Sequence, residues 1–237
     1  SWEPRRSNST LCVLLLGLVS LVMNYCRIAR FYQTIEALFI GGSLLDARVA
    51  HLNCLAQTGP IKHALLVGEG NGSFLLPFAQ QFSQTRITVI DESPEMLRIA
   101  RSRLAAAGLL SSRIEFQVED MTTVTVPERT YDLLVTHFFF DNFSICQVQQ
   151  MIAKLEQAST ASAQWLLADY CMPLHGWRSW RAAMWLRALY TFFGLFAALP
   201  VRSLPDIETA LAATSFKRIG RKTFSAGMLR SDYYQRA

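Results

Sequence analysis

Charge is scarce in this chain: 17% of its 237 residues are Asp, Glu, Lys or Arg, while 51% are apolar. That balance is greasier than an average soluble domain, so either the core is large or some apolar surface meets lipid, a partner or a greasy substrate. The net charge of +5 comes from scattered basic residues with no stripe interleaved with aromatics, and a nucleic-acid partner is not expected. Cys12, Cys26, Cys54, Cys146 and Cys171 form no Cys-x-x-Cys pair. An odd count without metal spacing reads as reduced thiols in a cytoplasmic setting rather than a disulfide framework. His51, His63, His137 and His175 show neither His-x-x-x-His nor His-Glu-x-x-His spacing, so no metal site is expected. No Pro/Gly/Ser-rich linker, internal repeat or low-complexity tract divides the chain, which reads as one domain with an N-terminal appendage.

A long apolar run is missing too. Leu11 to Met23 is thirteen residues, short of the ~20 that cross a bilayer as a helix. Arg5 and Arg6 precede it and Arg27 and Arg30 follow, which gives no orientation. No small-x-small cleavage site stands before Asn24-Tyr25-Cys26. The sequence begins at Ser1 instead of Met, as a fragment, a processed start or a misplaced start codon would. Residues 1–26 are therefore set apart from a domain over 27–237, and three readings of them stay open. They are a membrane-associating anchor, an apolar helix packed on the domain, or translated sequence outside the functional gene.

What the chain does have is Ala-Leu-Leu-Val-Gly-Glu-Gly-Asn-Gly at 64–72, an apolar run ending in Gly68-x-Gly70-x-Gly72. Nineteen residues later a second apolar run stops at Asp91. Continuous apolar segments of this length read as buried parallel strands. Glycines after the first let the backbone turn tightly and approach a ligand, and an acid at the tip of the second can accept both hydroxyls of a ribose. Further on the pattern predicts helices over 30–39 and 44–55, strand 64–68, helix 73–82, strand 86–91 and helix 94–107, with Pro94 in its first turn. Strands 113–118 and 131–136, helix 144–158 and strand 163–169 follow. Such alternation means βαβ units and a parallel sheet with its ligands at the carboxyl ends. Gly176 to Leu199 reads as a long helix crowded with Trp177, Trp180, Trp185, Tyr190, Phe192, Phe193 and Phe196. Then come helix 204–214, strand 217–223 and a last strand over 227–234, an antiparallel hairpin at the sheet edge.

A dinucleotide fingerprint would put its third glycine where Ser73 stands. The three glycines, Asp91, Asp120 and the strand order instead resemble the class I S-adenosylmethionine-dependent methyltransferases over roughly residues 28–235. The resemblance implies a Rossmann-like α/β three-layer sandwich with a mostly parallel seven-stranded sheet that ends in an antiparallel hairpin. It also implies S-adenosylmethionine as cofactor. Gly68, Glu69, Gly70, Asn71 and Gly72 match the loop facing its methionine and ribose portions, and Asp91 the ribose acid. Asp91-Glu92-Ser93-Pro94-Glu95-Met96-Leu97 looks like the family's D-x-S-x-x-M-L block, in which Met96 packs on adenine. Glu119-Asp120-Met121 looks like the adenine-capping segment, and Thr136 joins the contacts at the next strand tip. Many members carry an acid where this chain has Leu66, which leaves Glu69 as the candidate for the cofactor's amino group.

The fourth strand ends in Thr136-His137-Phe138-Phe139-Phe140-Asp141-Asn142-Phe143, the tip that lies beside the transferred methyl in this family. Phenyl faces suit a sulfonium and an apolar acceptor alike. His137 is the first candidate for a general base and Asp141 the second; equally, an in-line displacement needs no base when donor and acceptor are held in contact. Phe31-Tyr32, the D-x-S-P-x-M-L block and Leu204-Pro205-Asp206 resemble the ubiquinone and menaquinone C-methyltransferase branch. That branch often has Arg-Asn where this chain has His137-Phe138. The expected function is methyl transfer to a small lipophilic acceptor, with peripheral membrane contact through 11–23 or 177–199 and oligomeric state left open. The alternatives are a non-catalytic S-adenosylmethionine-binding protein and a nicotinamide-dependent oxidoreductase.

Overall fold

Leu65 and Leu66 are wholly buried in β1 (His63–Val67), as its unbroken apolar sequence requires of a strand covered on both faces. The computed structural model describes residues 42–171 and 205–237. The apolar appendage, the expected helix over 30–39, the aromatic stretch at 176–199 and Leu204 lie outside the described residues.

Helices α1 (Gly42–Val49) and α2 (Leu52–Leu55) precede β1. Then follow α3 (Leu75–Gln81), β2 (Arg86–Asp91), α4 (Pro94–Ala106), β3 (Ile114–Val118), β4 (Tyr131–His137), α5 (Ile145–Ala158) and β5 (Ser159–Tyr170). After the second break come α6 (Ile207–Ala212), β6 (Phe216–Phe224) and β7 (Leu229–Arg236). The sheet order is β3-β2-β1-β4-β5-β7-β6. All neighbours pair in parallel except β7, which runs antiparallel to β5 and β6. This is the Rossmann-like sheet with a terminal hairpin that the pattern predicts.

Alternate side chains of each strand feed two cores. Leu65, Val67, Leu134, Trp165 and Leu167 pack beneath Val148, Ile152 and Leu155 of α5 and Ile207 of α6. Ala64, Leu66, Leu133 and Val135 meet Leu52, Leu55, Phe74, Phe78, Leu97 and Leu104 on the other face. Each fully buried Leu or Phe contributes about 1.5–3 kcal/mol, so the central strands hold the carboxyl edge rigidly. Helix starts follow local chemistry. Ser93 accepts from the Met96 amide at 3.3 Å with Pro94 at the first helical position, and Ser144 forms a capping box with Gln147.

Of the boundaries that differ from expectation, two have a cause in the sheet. The helix expected over 44–55 is split, because the chain turns at His51, whose Nε2 bonds the Ser231 carbonyl at 3.0 Å and ties the turn to β7. Strand β5 begins four residues before 163, since Ser159 already pairs with Tyr131 beside an irregularity in β4.

Candidate cofactor and acceptor site

At the carboxyl edge the loop after β1 takes left-handed backbone angles at Gly68, Gly70 and Gly72, with φ of +64°, +66° and +78°. Two of these glycines are also dictated by space. A Cβ on Gly68 would collide with the Phe139 ring, and one on Gly72 would lie 3.0 Å from the Ala100 Cβ of α4. The loop is braced from α4 as well: Arg103 Nη1 donates to Ser73 Oγ at 3.0 Å, and Asn71 Oδ1 accepts from the Ser73 amide at 3.2 Å.

Asp91 closes the loop. Its Oδ2 accepts from the Gly70 amide at 2.8 Å and its Oδ1 from the Ser93 amide at 2.9 Å, which leaves further lone pairs of the carboxylate for a ligand's O–H groups. Burial lifts its pKa above the ordinary carboxylate value, against the pull of those two amides. Glu92 beside it is lifted by burial and by the charges of Asp120 and Asp91. One cleft gathers Gly68, Asp91, Glu92, Glu119, Asp120 and Met121 with Val67, Ile90, Phe138, Phe139, Asn142 and Phe143. Its one rim is carboxylate and its other rim phenyl.

The phenyl rim has its own geometry. Phe138 adopts a φ of +53°, rare for a bulky residue, and its amide donates to the Ala168 carbonyl at 2.7 Å. Its ring packs 5.2 Å from Tyr170 and lies under the Arg48 guanidinium at 5.1 Å. Phe139 and Phe143 stand 5.0 Å apart, ring to ring.

Five of the residues expected in the site are placed elsewhere. Glu69 is turned inward, 5% exposed, where its Oε1 accepts from the Phe74 and Leu75 amides at 2.9 Å and caps α3. This capping also moves the helix start from the expected 73 to 75. Thr136 is buried and accepts from Trp165 Nε1 at 2.9 Å. His137 faces the core with its ring edge-on to Phe74 at 4.7 Å, and neither ring nitrogen has a hydrogen-bond partner. Burial, then Arg48 and His51, hold its pKa well below 6.5, so the ring is a neutral core group and not a base in the cleft. Asn71 shapes the loop, and Met96 opens α4 outside the cleft lining. Asp141 lies in a 3-10 turn, Phe140–Asn142, at the cleft's edge.

The sequence reading missed Lys154. From α5 its Nζ donates to the carbonyls of Met121, Thr122 and Val124 at 2.9, 3.2 and 2.8 Å, pinning the segment that carries Asp120. Asp120 Oδ1 in turn accepts from the Thr122 amide and hydroxyl, both at 2.8 Å. Among the described residues no cluster of His, Cys, Asp and Glu could hold a metal ion, and no helix is long and apolar enough to cross a membrane.

Comparison with known proteins gives the class. Residues 64–160 match the family described as a methyltransferase domain. The release factor glutamine methyltransferase of Koribacter versatilis is 35% identical over 71 residues, 30% of this chain and 24% of that protein. The demethylmenaquinone methyltransferase of Deinococcus radiodurans is 26% identical over 129 residues, 54% of this chain and 51% of that protein. The apo structure of the S-adenosylmethionine-dependent methyltransferase SibL superimposes with a TM-score of 0.63 at 21% identity, covering 87% of this chain and 57% of that one. The chain thus spans a quarter to a half of the curated relatives it matches. Residues 64–160 thus match a methyltransferase domain, and the chain has the fold of the class I S-adenosylmethionine-dependent methyltransferases. The cofactor of that class is S-adenosylmethionine, and the donor set fits it: acceptor-only carboxylates for hydroxyl and amino groups, with phenyl ring faces and the Met121 thioether for its cationic and flat parts.

Proposed function

We propose that the protein transfers a methyl group from S-adenosylmethionine to a small, lipophilic acceptor. The observation that carries this reading is the single cleft in which the Asp91 and Asp120 carboxylates face Phe138, Phe139 and Phe143 across the ends of β1 and β4. When bound, the cofactor supplies a methyl group on a positively charged sulfur. Asp91 holds the ribose hydroxyls, Asp120 accepts from the adenine amino group, and Met121 with Ile90 covers the base. Phe138, Phe139 and Phe143 exclude water, and their negative ring faces favour a sulfonium. Holding donor and acceptor in contact supplies much of the acceleration in such an in-line displacement. The partial relative that acts on demethylmenaquinone supports a lipophilic ring as acceptor.

Calorimetry tests the reading. S-adenosylhomocysteine should bind with saturable heat and NAD should not. Asp91→Ala removes a charged acceptor and leaves the Gly70 and Ser93 amides unpaired, so affinity should fall by on the order of 10²-fold. No heat with S-adenosylhomocysteine would exclude the proposal.

A further inference from the structure

Two buried polar atoms on neighbouring strands have no hydrogen-bond partner: Asp169 Oδ2 on β5 and Arg230 Nε on β7. Asp169 is 1% exposed and Arg230 8%, and the two residues face each other in the antiparallel register. One orphan accepts and the other donates. One further atom of each side chain is engaged. Asp169 Oδ1 takes the Tyr170 amide at 2.8 Å, and Arg230 Nη1 donates to Glu208 Oε1 at 2.5 Å. The Arg230 Nε lies 3.7 Å from Asp232 Oδ2, too far for a hydrogen bond. Asp232 is itself held by Arg221, at 2.5 Å from Oδ1 and 2.8 Å from Oδ2. Folded chains seldom leave one such group unpaired, and here two of opposite kind belong to register partners on adjacent strands.

Their location is informative. Ala168, the residue before Asp169, receives the Phe138 amide, and Tyr170, the residue after, packs on the Phe138 ring. Phe138 lines the cofactor cleft. Strand alternation turns Asp169 to the face opposite Tyr170, the face of Leu167, on which Val67, Met121 and Phe139 of the cleft also pack, so the orphan pair stands at the carboxyl edge beside the phenyl rim.

We propose that Asp169 and Arg230 form the acceptor's polar anchor and receive a phenolic or enolic hydroxyl, whose O–H donates to Asp169 Oδ2 while its oxygen accepts from Arg230 Nε. A hydroxyl is the simplest group that is both donor and acceptor at one atom. The inference rests on the methyltransferase reading and deepens it. Asp169 then takes the proton: the acceptor's O–H bond breaks, an O–H bond forms on the carboxylate, and the electron pair stays on the acceptor oxygen, facing the guanidinium. That oxygen, or the ring carbon it activates, becomes the nucleophile. The charged and titratable groups around Asp169 are Asp141 in the 3-10 turn, Arg230 on β7 and Cys171 just beyond β5. Burial and then Asp141 hold the Asp169 carboxyl well above the usual range, against the Tyr170 amide and Arg230, which makes it a stronger base than an ordinary carboxylate.

The probe is 4-nitrophenol, whose phenolate absorbs visibly, titrated into the full chain saturated with S-adenosylhomocysteine. Saturable binding is expected, with the phenolate band of the bound probe appearing at least one pH unit below that of free 4-nitrophenol. Asp169→Asn should return the midpoint to the free value or above it, with S-adenosylhomocysteine affinity unchanged within twofold. Asp169→Ser gives the same comparison should the amide fail to fold. Absence of saturable 4-nitrophenol binding, as when a structural water fills the pair, or an equal midpoint in wild type and variant, overturns the proposal. Failure of S-adenosylhomocysteine to bind is a separate result and counts against the methyltransferase reading itself.

Discussion

Glu69 is a carboxyl group closed off from water, and its position in a glycine loop conceals what it does. Burial raises its pKa from 4.5 to about 7, opposed by Arg48 and by the Leu75 and Phe74 amides it caps, with Asp91 adding to the rise. A group whose folded value is raised contributes stability that is full below its unfolded value and is lost as pH climbs through the folded one. Wild type should therefore lose stability between pH 4.5 and about 7 relative to Glu69→Gln, whose amide oxygen can cap the same two N–H groups without a charge. At 1.36 kcal/mol per pH unit the loss is on the order of 3 kcal/mol. Chemical denaturation of both proteins across that window measures it; a flat difference would show that Glu69 titrates as an ordinary carboxylate.

Between elements, Lys154 does what no residue of the cleft does for itself. Its ammonium gathers three carbonyls of the segment after β3, so α5 fixes where Met121 and Asp120 stand. Lys154→Met keeps the apolar stem but leaves those carbonyls without a donor. S-adenosylhomocysteine affinity should fall about tenfold, by roughly the worth of one charged hydrogen bond, while the β-sheet's exchange protection stays; unchanged affinity in calorimetry would remove Lys154 from the positioning of the cleft. This contact was illegible in the sequence because 30 to 33 residues separate the lysine from its carbonyls and no spacing rule spans them. The acid-tipped strands and the glycine loop were legible for the opposite reason: adjacent residues encode a strand end and a positive φ. Glu69, Thr136 and His137 lay between. Each lies within two residues of a cleft residue, yet strand alternation and loop curvature turn each side chain inward, and only the assembled sheet decides which way.

For the whole molecule, the parallel sheet was readable from strands alternating with helices, and the terminal hairpin from two late strands with no helix between them. The pairing of Asp169 with Arg230 was not, since they are 61 positions apart in the chain and only the β5–β7 register brings them together. The same sheet supports α1, which packs on β5, β6 and β7, and Arg48 at its end lies over the Phe138 ring. That single stacked cation makes the first described helix and the cleft two halves of one thermodynamic linkage. Ligand binding must then slow amide exchange in α1, and loosening α1 must weaken the ligand by the same factor. Arg48→Ala should lower S-adenosylhomocysteine affinity a few-fold, as a partly exposed cation–π contact is worth about 0.5–1 kcal/mol, and abolish the ligand's effect on exchange in 42–49. Were α1 to exchange equally fast with and without ligand in wild type, the linkage would be absent. If it holds, the occupancy of the cleft can be read from amides that never touch it.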